Sequence, residues 1–427
     1  MYSFEVRARA APVHGTTKAT TESVPKVVYW IGLSSLLADI CAESVASVLP
    51  IFLFAALQLS PLQVGFMDGL YQGGAAVVRV LAAFVADRHQ ANRGVAMLGY
   101  ALSALSRIGF LLSGSLGLLV AMSSLCLDRI GKGIRTAPRD ALIAAHTPKR
   151  MIGAAFGVHR SMDAVGALVG PLLSAGILWL LPFRFDWLFA ISLAFGVAGV
   201  LVFRSKVSNP AQATAPTGES GITGGPPAQR LSMRSTARLL LADKRFVGLT
   251  LLAAFLSTFT VSDGLIYVSL QRSAGFNATY VPLMFAFTAI FFFIAAVPLG
   301  RAADRVGPVA IFLVGYAVLS LLYLWLAFLP STSGLSIAAI VALLGVHYAA
   351  TDGVLAASAV RSLDPTVRTT GLAVLATAVG LTRIGSSVLY GWLWQQTGQS
   401  SAIQVFAVGM TVCLFLSIWA LRSRRRS

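Results

Sequence analysis

The chain has 427 residues, 56% of them hydrophobic and only 11% charged, with a mean hydropathy of +0.78 and a formal net charge of +17. Soluble domains carry about 25% charged residues, so the composition excludes an ordinary soluble enzyme and belongs in lipid. The net charge could suggest a nucleic-acid partner or an anionic substrate, and its uneven placement decides against reading either from it.

Apolar runs recur near 27–57, 62–86, 95–113, 116–137, 152–181, 186–203, 246–271, 279–300, 307–329, 334–358, 370–396 and 401–421. Many approach the roughly 20 residues that cross a hydrocarbon core, and they predict an all-α membrane protein of twelve spans. Among the 33 Lys and Arg residues, Arg79, Arg107, Arg129, Arg160 and Arg383 fall inside spans, and only Arg184 and Arg272 lie on one face. All the others lie on the opposite face, which the positive-inside rule makes cytoplasmic. Both termini are expected there, and Arg422-Ser-Arg424-Arg425-Arg426 reads as a topology anchor. Residues 1–26 form a polar cytoplasmic tail, and no cleavable signal is expected because the first apolar run is too long for one.

The first span carries Asp39 and Glu43, four residues apart and on one helical face. Such a pair can hold a proton or ligate a cation through oxygen; the plainer reading is that each pairs with a buried arginine and ties helices together. In the second span Asp68 and Arg79 lie on roughly one face, and the span closes on Asp87-Arg88. Arg107 of the third span is expected to pair with Asp128 or a neighbour.

The fourth span has the densest polar text, Asp128-Arg129-Ile-Gly131-Lys132-Gly133-Ile-Arg135-Thr-Ala-Pro138-Arg139-Asp140. Asp128 and Arg129 point about 100° apart on a helix, so Glu43 or Asp39 is the expected partner of Arg129. Lys132, Arg135, Arg139 and Asp140 approach the cytoplasm and read as a gate or anchor network. His159, Arg160 and Asp163 meet within about one turn of the fifth span, an arrangement suited to proton exchange near neutral pH, or to an ion-pair clamp with a hydrogen-bonded histidine. Gly166, Gly170 and Pro171 then allow close helix approach and a kink.

Residues 205–245 are rich in Gly, Pro, Ser and Thr and read as a cytoplasmic linker between halves 27–204 and 246–421, with 422–427 a basic tail. In the second half, Asp263, His347, Asp352 and Arg383 are the internal polar candidates, and Gly300-Arg-Ala-Ala-Asp304-Arg305-Val-Gly307 closes the eighth span. Asp87-Arg88 returns as Asp304-Arg305 after 217 residues, Asp140 as Asp352 after 212, and Glu43 as Asp263 after 220. Three matches in one order point to a duplicated bundle of two parallel repeats, with the substrate passing between them. Trp179, Trp187, Trp392 and Trp394 sit toward span ends as interfacial anchors, and Cys41, Cys126 and Cys413 read as packing residues inside spans.

Gly300 to Gly307 resembles the G-x-x-x-D-R-x-G loop signature of the major facilitator superfamily, and the first copy departs from it at Ala83 and Gln90. Arg129 with Gly133 resembles its R-x-x-x-G motif. Gly166-Ala-Leu-Val-Gly170-Pro171 is similar to the G-x-x-x-G-P-x-x-G motif of its proton-coupled antiporters, with Ser174 at the last glycine. The run 128–144, with Phe156-Gly157-Val-His159-Arg160-Ser-Met-Asp163, looks like one bacterial branch. The resemblance implies two pseudo-symmetric six-helix bundles that rock about a central cavity, with Asp87, Arg88, Asp304 and Arg305 in the switch.

The function expected is therefore secondary transport in the cytoplasmic membrane, or in a specialised internal membrane. It would be driven by protons through Glu43, Asp39 or Asp163 and directed toward export of a small molecule or ion by a monomer. No G-x-x-x-x-G-K-[ST] loop occurs to bind ATP, no enzyme constellation is visible, and no cofactor is expected. Two alternatives stand beside it. Asp39, Glu43, His159 and His347 would make an oxygen–nitrogen site for iron(II) or manganese(II); or the protein is a non-transporting sensor or scaffold.

Overall fold

The computed structural model describes residues 24–89, 92–208, 233–329, 333–364 and 367–423, and the described residues contain helices and no strand. The first half comprises α1 (Lys26–Ile51), α2 (Pro61–His89), α3 (Asn92–Leu116), α4 (Leu118–Ala145), α5 (Ile152–Leu180) and α6 (Phe185–Lys206). Then follow α7 (Met233–Ala242), α8 (Lys244–Ser257), α9 (Asp263–Ala274), α10 (Val281–Val306), α11 (Pro308–Phe328), α12 (Gly334–Ser362), α13 (Arg368–Thr397) and α14 (Gln399–Ser423). At 1.5 Å per residue the 29 residues of α5 reach about 44 Å, enough to cross a bilayer core with tilt.

Nine helices among the described residues are long and apolar enough to cross a membrane. Helices α2 and α4 are as long but carry internal charges, and α8 and α9 are two short pieces of one interrupted traverse. Adding these three gives a count consistent with the twelve expected spans. Lipid-facing positions are apolar, as at Leu105, Leu119, Leu201, Leu251 and Leu335, because the hydrocarbon phase offers no partner for a polar group. Part of the expected linker, 209–232, lies outside the described residues. Its last stretch forms α7, and the Asp243 side chain caps α8 by accepting from the Arg245 and Phe246 amides.

Interruption of the seventh traverse at 258–262 was not anticipated. An unwound stretch inside a membrane needs partners for its amides and carbonyls. The Val261 amide donates to Tyr323 Oη at 2.8 Å, Ser386 Oγ donates to the Thr260 carbonyl at 3.0 Å, and Ser262 caps α9 at the Leu265 amide. Helix α9 ends on Gly275, whose φ of 69° is left-handed.

Helix α1 packs on α5 and α6, α3 on α4 and α6, and α2 on α4, closing one bundle; α11 and α12 pack together with α10 and α14 in the other, where α13 meets α14 and α8. The bundles meet through α2 against α13, α5 against α10, and α1 against α9 and α10. These contacts lie toward one end. The Leu62 amide reaches Gln395 Oε1 at 3.3 Å near the start of α2, and Thr377 Oγ1 reaches the Ala76 carbonyl at 3.3 Å midway along it. Small residues let the backbones touch: a Cβ on Gly65 would come within 3.0 Å of Gly391 Cα. Of the four tryptophans expected as anchors, Trp179, Trp187 and Trp392 are exposed, but Trp394 is buried against Phe54 and Tyr390 and under Arg272. It faces the bundle because α13 turns that side toward α14 and the helical turn 52–56 that continues α1.

Candidate functional site

Helix α5 presses Asp39 and Glu43 of α1 into place. A Cβ on Gly166 would lie 2.8 Å from the Leu36 carbonyl oxygen and 3.0 Å from Asp39 Cβ, and one on Gly170 would lie 2.8 Å from the Ser44 nitrogen and 3.0 Å from Glu43 Cβ. Ser174, one turn on, donates to the Ser44 carbonyl at 2.8 Å. The glycine–proline stretch thus brings α5 against the acidic face of α1, and a serine in place of the last glycine adds an interhelical hydrogen bond.

Helix α4 supplies the cations. Arg135 Nη2 meets Asp39 Oδ1 at 3.2 Å while its Nη1 donates to Ser103 Oγ, and Lys132 Nζ meets Glu43 Oε1 at 3.4 Å. The side chains of Asp39, Glu43 and Lys132 keep 17%, 22% and 28% of their exposure, so this wall is reached by water. Arg139 is bidentate to Asp140 Oδ1, both distances 3.0 Å, and also donates to Ser35 Oγ at 3.3 Å. Residues expected to divide between coupling and gating roles form one network on α1, α4 and α5.

Asp163 of α5 sits where that network is loosest. Its Oδ2 lies 3.3 Å from His159 Nδ1, 3.7 Å from Arg160 Nη1 and 3.8 Å from Arg139 Nη1. Its Oδ1 is buried with no hydrogen bond among the described residues, and the His159 Nδ1 contact is close without hydrogen-bond alignment. His159 is completely buried and shares Ser35 Oγ with Tyr100 and Arg139, at 3.1 Å from its own Nε2. The Ser35 hydroxyl was missed in the sequence; its one signal was the Ser34-Ser35 pair on the face of Asp39.

Arg129 requires a correction. It pairs with its neighbour Asp128 and not with Glu43 or Asp39. Asp128 is held toward α3 by Arg107 at 2.6 Å, and the long Arg129 side chain folds back to the same carboxylate with its guanidinium 4.0 Å over the Tyr71 ring. The arginine stem is long enough to offset 100° of helical rotation. Cys41 is also more than filler, since Arg107 Nε reaches its sulfur at 3.3 Å.

The metal alternative finds no set of ligands. His347 gives Nδ1 to the Gly315 carbonyl at 2.9 Å and packs against Tyr316 within the other bundle, away from Asp39 and Glu43. Among the described residues no three of His, Cys, Asp and Glu gather to hold an ion.

The second half contributes fewer charges. Asp263 is the first residue of α9, at the break, and has Arg383 and Glu43 among its electrostatic neighbours. Arg383 is 7% exposed, midway along α13. Asp68, expected on a face with Arg79, accepts from Ser387 Oγ of α13 at 2.6 Å and so bridges the bundles; the Arg79 side chain lies outside the described residues. So do those of Asp87 and Arg88, at the end of α2. Asp304 and Arg305 are exposed in the last turn of α10, a Cβ on Gly300 would meet nothing, and Gly307 ends that helix with a φ of 104°. That left-handed angle is the physical need behind the closing glycine of the signature.

Comparison with known proteins agrees with this architecture. The chain is 28% identical over 374 residues to an uncharacterized MFS-type transporter of Methanocaldococcus jannaschii, covering 87% of this chain and 89% of that one. It is 26% identical over 400 residues to an uncharacterized protein of Mycobacterium tuberculosis, with 92% of each covered. Among solved structures it is similar to a bacterial homologue of the human lysosomal transporter Spinster in an inward-facing, unoccupied conformation (TM-score 0.71, 16% identity, 93% and 96% covered). It is also similar to a nucleoside transporter (TM-score 0.72, 14% identity, 92% and 98% covered). The Major Facilitator Superfamily model matches residues 31–387 and 264–427. A helical membrane bundle built as two touching halves, with its charges turned inward and this match along nearly its whole length, belongs to the Major Facilitator Superfamily of transporters.

Proposed function

We propose that this chain is a proton-coupled secondary transporter that exports a small solute across the cytoplasmic membrane by alternating access. The halves 27–204 and 246–421 act as the two moving bundles, joined by 205–245, with both termini in the cytoplasm. In that orientation the contacts between α2 and α13 run from the outer end of α2 to its middle.

The observation that carries the coupling is the α1–α4–α5 wall. Asp39, Glu43 and Asp163 sit between helices, each next to a lysine or arginine and each still partly reached by water. A carboxylate in low dielectric favours either a cation or a proton. A proton arriving at Glu43 or Asp163 releases Lys132 or Arg139, and the ion pairs that tie α4 to α1 and α5 weaken. Protonation on one side and release on the other then biases the two bundle arrangements. The glycine–proline stretch, similar to the motif of proton-coupled antiporters, supports export, as does the tight α1–α5 contact it makes beside the acidic pair.

Proteoliposomes with a pH dye trapped inside test this across many solutes at once. A panel of solutes is added with and without an imposed pH gradient, and solute uptake is followed by mass spectrometry. A solute whose movement shifts internal pH in wild type but not in Glu43→Gln or Asp163→Asn supports the reading. Transport equally fast at every gradient in all three proteins would remove proton coupling.

A further inference from the structure

We propose that Arg383 is a substrate-binding residue for a singly charged carboxylate, which makes the transported solute a small organic acid. This rests on the transport reading above and adds to it the class of solute.

Four other arginines of the bundles are as buried as Arg383, and each has a carboxylate: Arg107 and Arg129 share Asp128, Arg135 has Asp39, and Arg139 has Asp140. Arg383 is the exception. It is 93% removed from solvent, its Nε has no hydrogen bond, and no carboxylate among the described residues comes within ion-pair distance of its guanidinium. A buried guanidinium with no hydrogen-bond or ion-pair partner at contact distance among the described residues is costly. A protein keeps one at mid-membrane depth when a ligand completes it, and intramembrane charge is by default a pathway residue.

The surroundings fit such a ligand. Asp263, Asp352, Tyr348 and Tyr316 are the electrostatic neighbours of Arg383. Asp263 begins α9 at the interrupted seventh traverse, and Ser386, three residues beyond Arg383, is bonded to the break itself. Broken helices at mid-depth are where transporters of this general build place solutes. A carboxylate matches the planar guanidinium fork with two parallel hydrogen bonds. Asp263 and Asp352 set the charge limit. With two acidic groups in the field, the surroundings of Arg383 disfavour a dianion such as a phosphate ester more strongly than a singly charged carboxylate.

The test uses the full chain in nanodiscs. Benzoate and hexanoate are compared with benzamide and hexanamide, and with inorganic phosphate, by thermal stabilisation and equilibrium binding. Wild type is expected to bind the acids at least tenfold more tightly than the amides and than phosphate. Arg383→Gln should lose that preference, and Arg383→Lys should keep part of it. Should Arg383→Gln not fold, the acid-to-amide ratio of wild type and the Arg383→Lys intermediate still decide. Equal binding of acid and amide, tighter binding of phosphate, or no response to either acid overturns the proposal. Flux of a neutral solute that ignores Arg383→Gln would sink this inference and leave transport standing. Acid binding without flux of any solute would instead sink the transport reading.

Discussion

Replacing Asp128 by Asn removes the one carboxylate shared by Arg107 and Arg129, a change whose size the structure allows to be worked through. The side chains are 1%, 3% and 6% exposed for Arg107, Asp128 and Arg129, so water cannot replace what is lost. Breaking a buried ion pair by removing one partner costs about 3–5 kcal/mol, because an uncompensated charge is left inside. Arg107 keeps the Cys41 sulfur at 3.3 Å and a distant Phe110 ring at 5.7 Å, whereas Arg129 keeps its closer place 4.0 Å over the Tyr71 ring. Most of the loss therefore falls on Arg107. The double variant Arg107→Met with Asp128→Asn should recover a large part of the stability, since it removes the orphaned cation together with its partner. Unfolding of the purified protein in detergent, followed by tryptophan fluorescence for wild type, both single variants and the double, gives the coupling energy directly. A single-variant loss below about 1 kcal/mol, or a double variant as unstable as Asp128→Asn, would refute the idea that this carboxylate neutralises the two arginines.

Gly170→Leu places a side chain where a Cβ would already lie 2.8 Å from the Ser44 nitrogen, so stability should fall by about 1–3 kcal/mol and flux should be lost, whereas Gly176→Ala, which meets nothing within 4 Å, should be neutral or stabilising in the same thermal assay. Tyr323→Phe deletes the oxygen that accepts from the Val261 amide at 2.8 Å; hydrogen exchange should accelerate across 258–262, with about 1–3 kcal/mol of destabilisation, and an unchanged exchange rate would mean the break is held by other contacts. Ser387→Ala removes the hydrogen bond to Asp68 across the bundles; a bond to a charged group contributes about 1.5–3 kcal/mol, so spin labels at the ends of α2 and α13 should report a population shift of roughly tenfold or more toward separated ends.

Several elements were legible because each is a local or periodic property of the chain. Charged residues inside apolar runs had to turn inward, since lipid offers them no partner, and Glu43, Arg129 and Asp163 do lie between helices. The His159–Asp163 face follows from i,i+4 spacing alone, and the Arg107–Asp128 and Arg139–Asp140 pairs are among those that the sequence left open. Other features were out of reach. The shared carboxylate of Arg107 and Arg129 depends on α3 arriving beside α4, and the burial of Trp394 on which face α13 turns to its neighbours. The break at 258–262 left a local hint in Thr260-Val-Ser262-Asp263-Gly264, where a capping serine precedes an acidic first turn. Its stability comes from Tyr323 and Ser386, more than 60 residues away along the chain.

Composition, the one-sided placement of lysine and arginine, and the half-chain recurrence of acidic pairs determined by themselves that this is a duplicated membrane bundle with buried charges. Hydropathy and charge act on each residue independently of its distant neighbours, so a linear string carries them in full. Only the tertiary structure decided which cation meets which carboxylate, where the bundles touch through Asp68 and Ser387, and that Arg383 is left without a carboxylate partner among the described residues. Those outcomes depend on ångström-scale approach between helices far apart in sequence, and no spacing along the chain encodes such a distance.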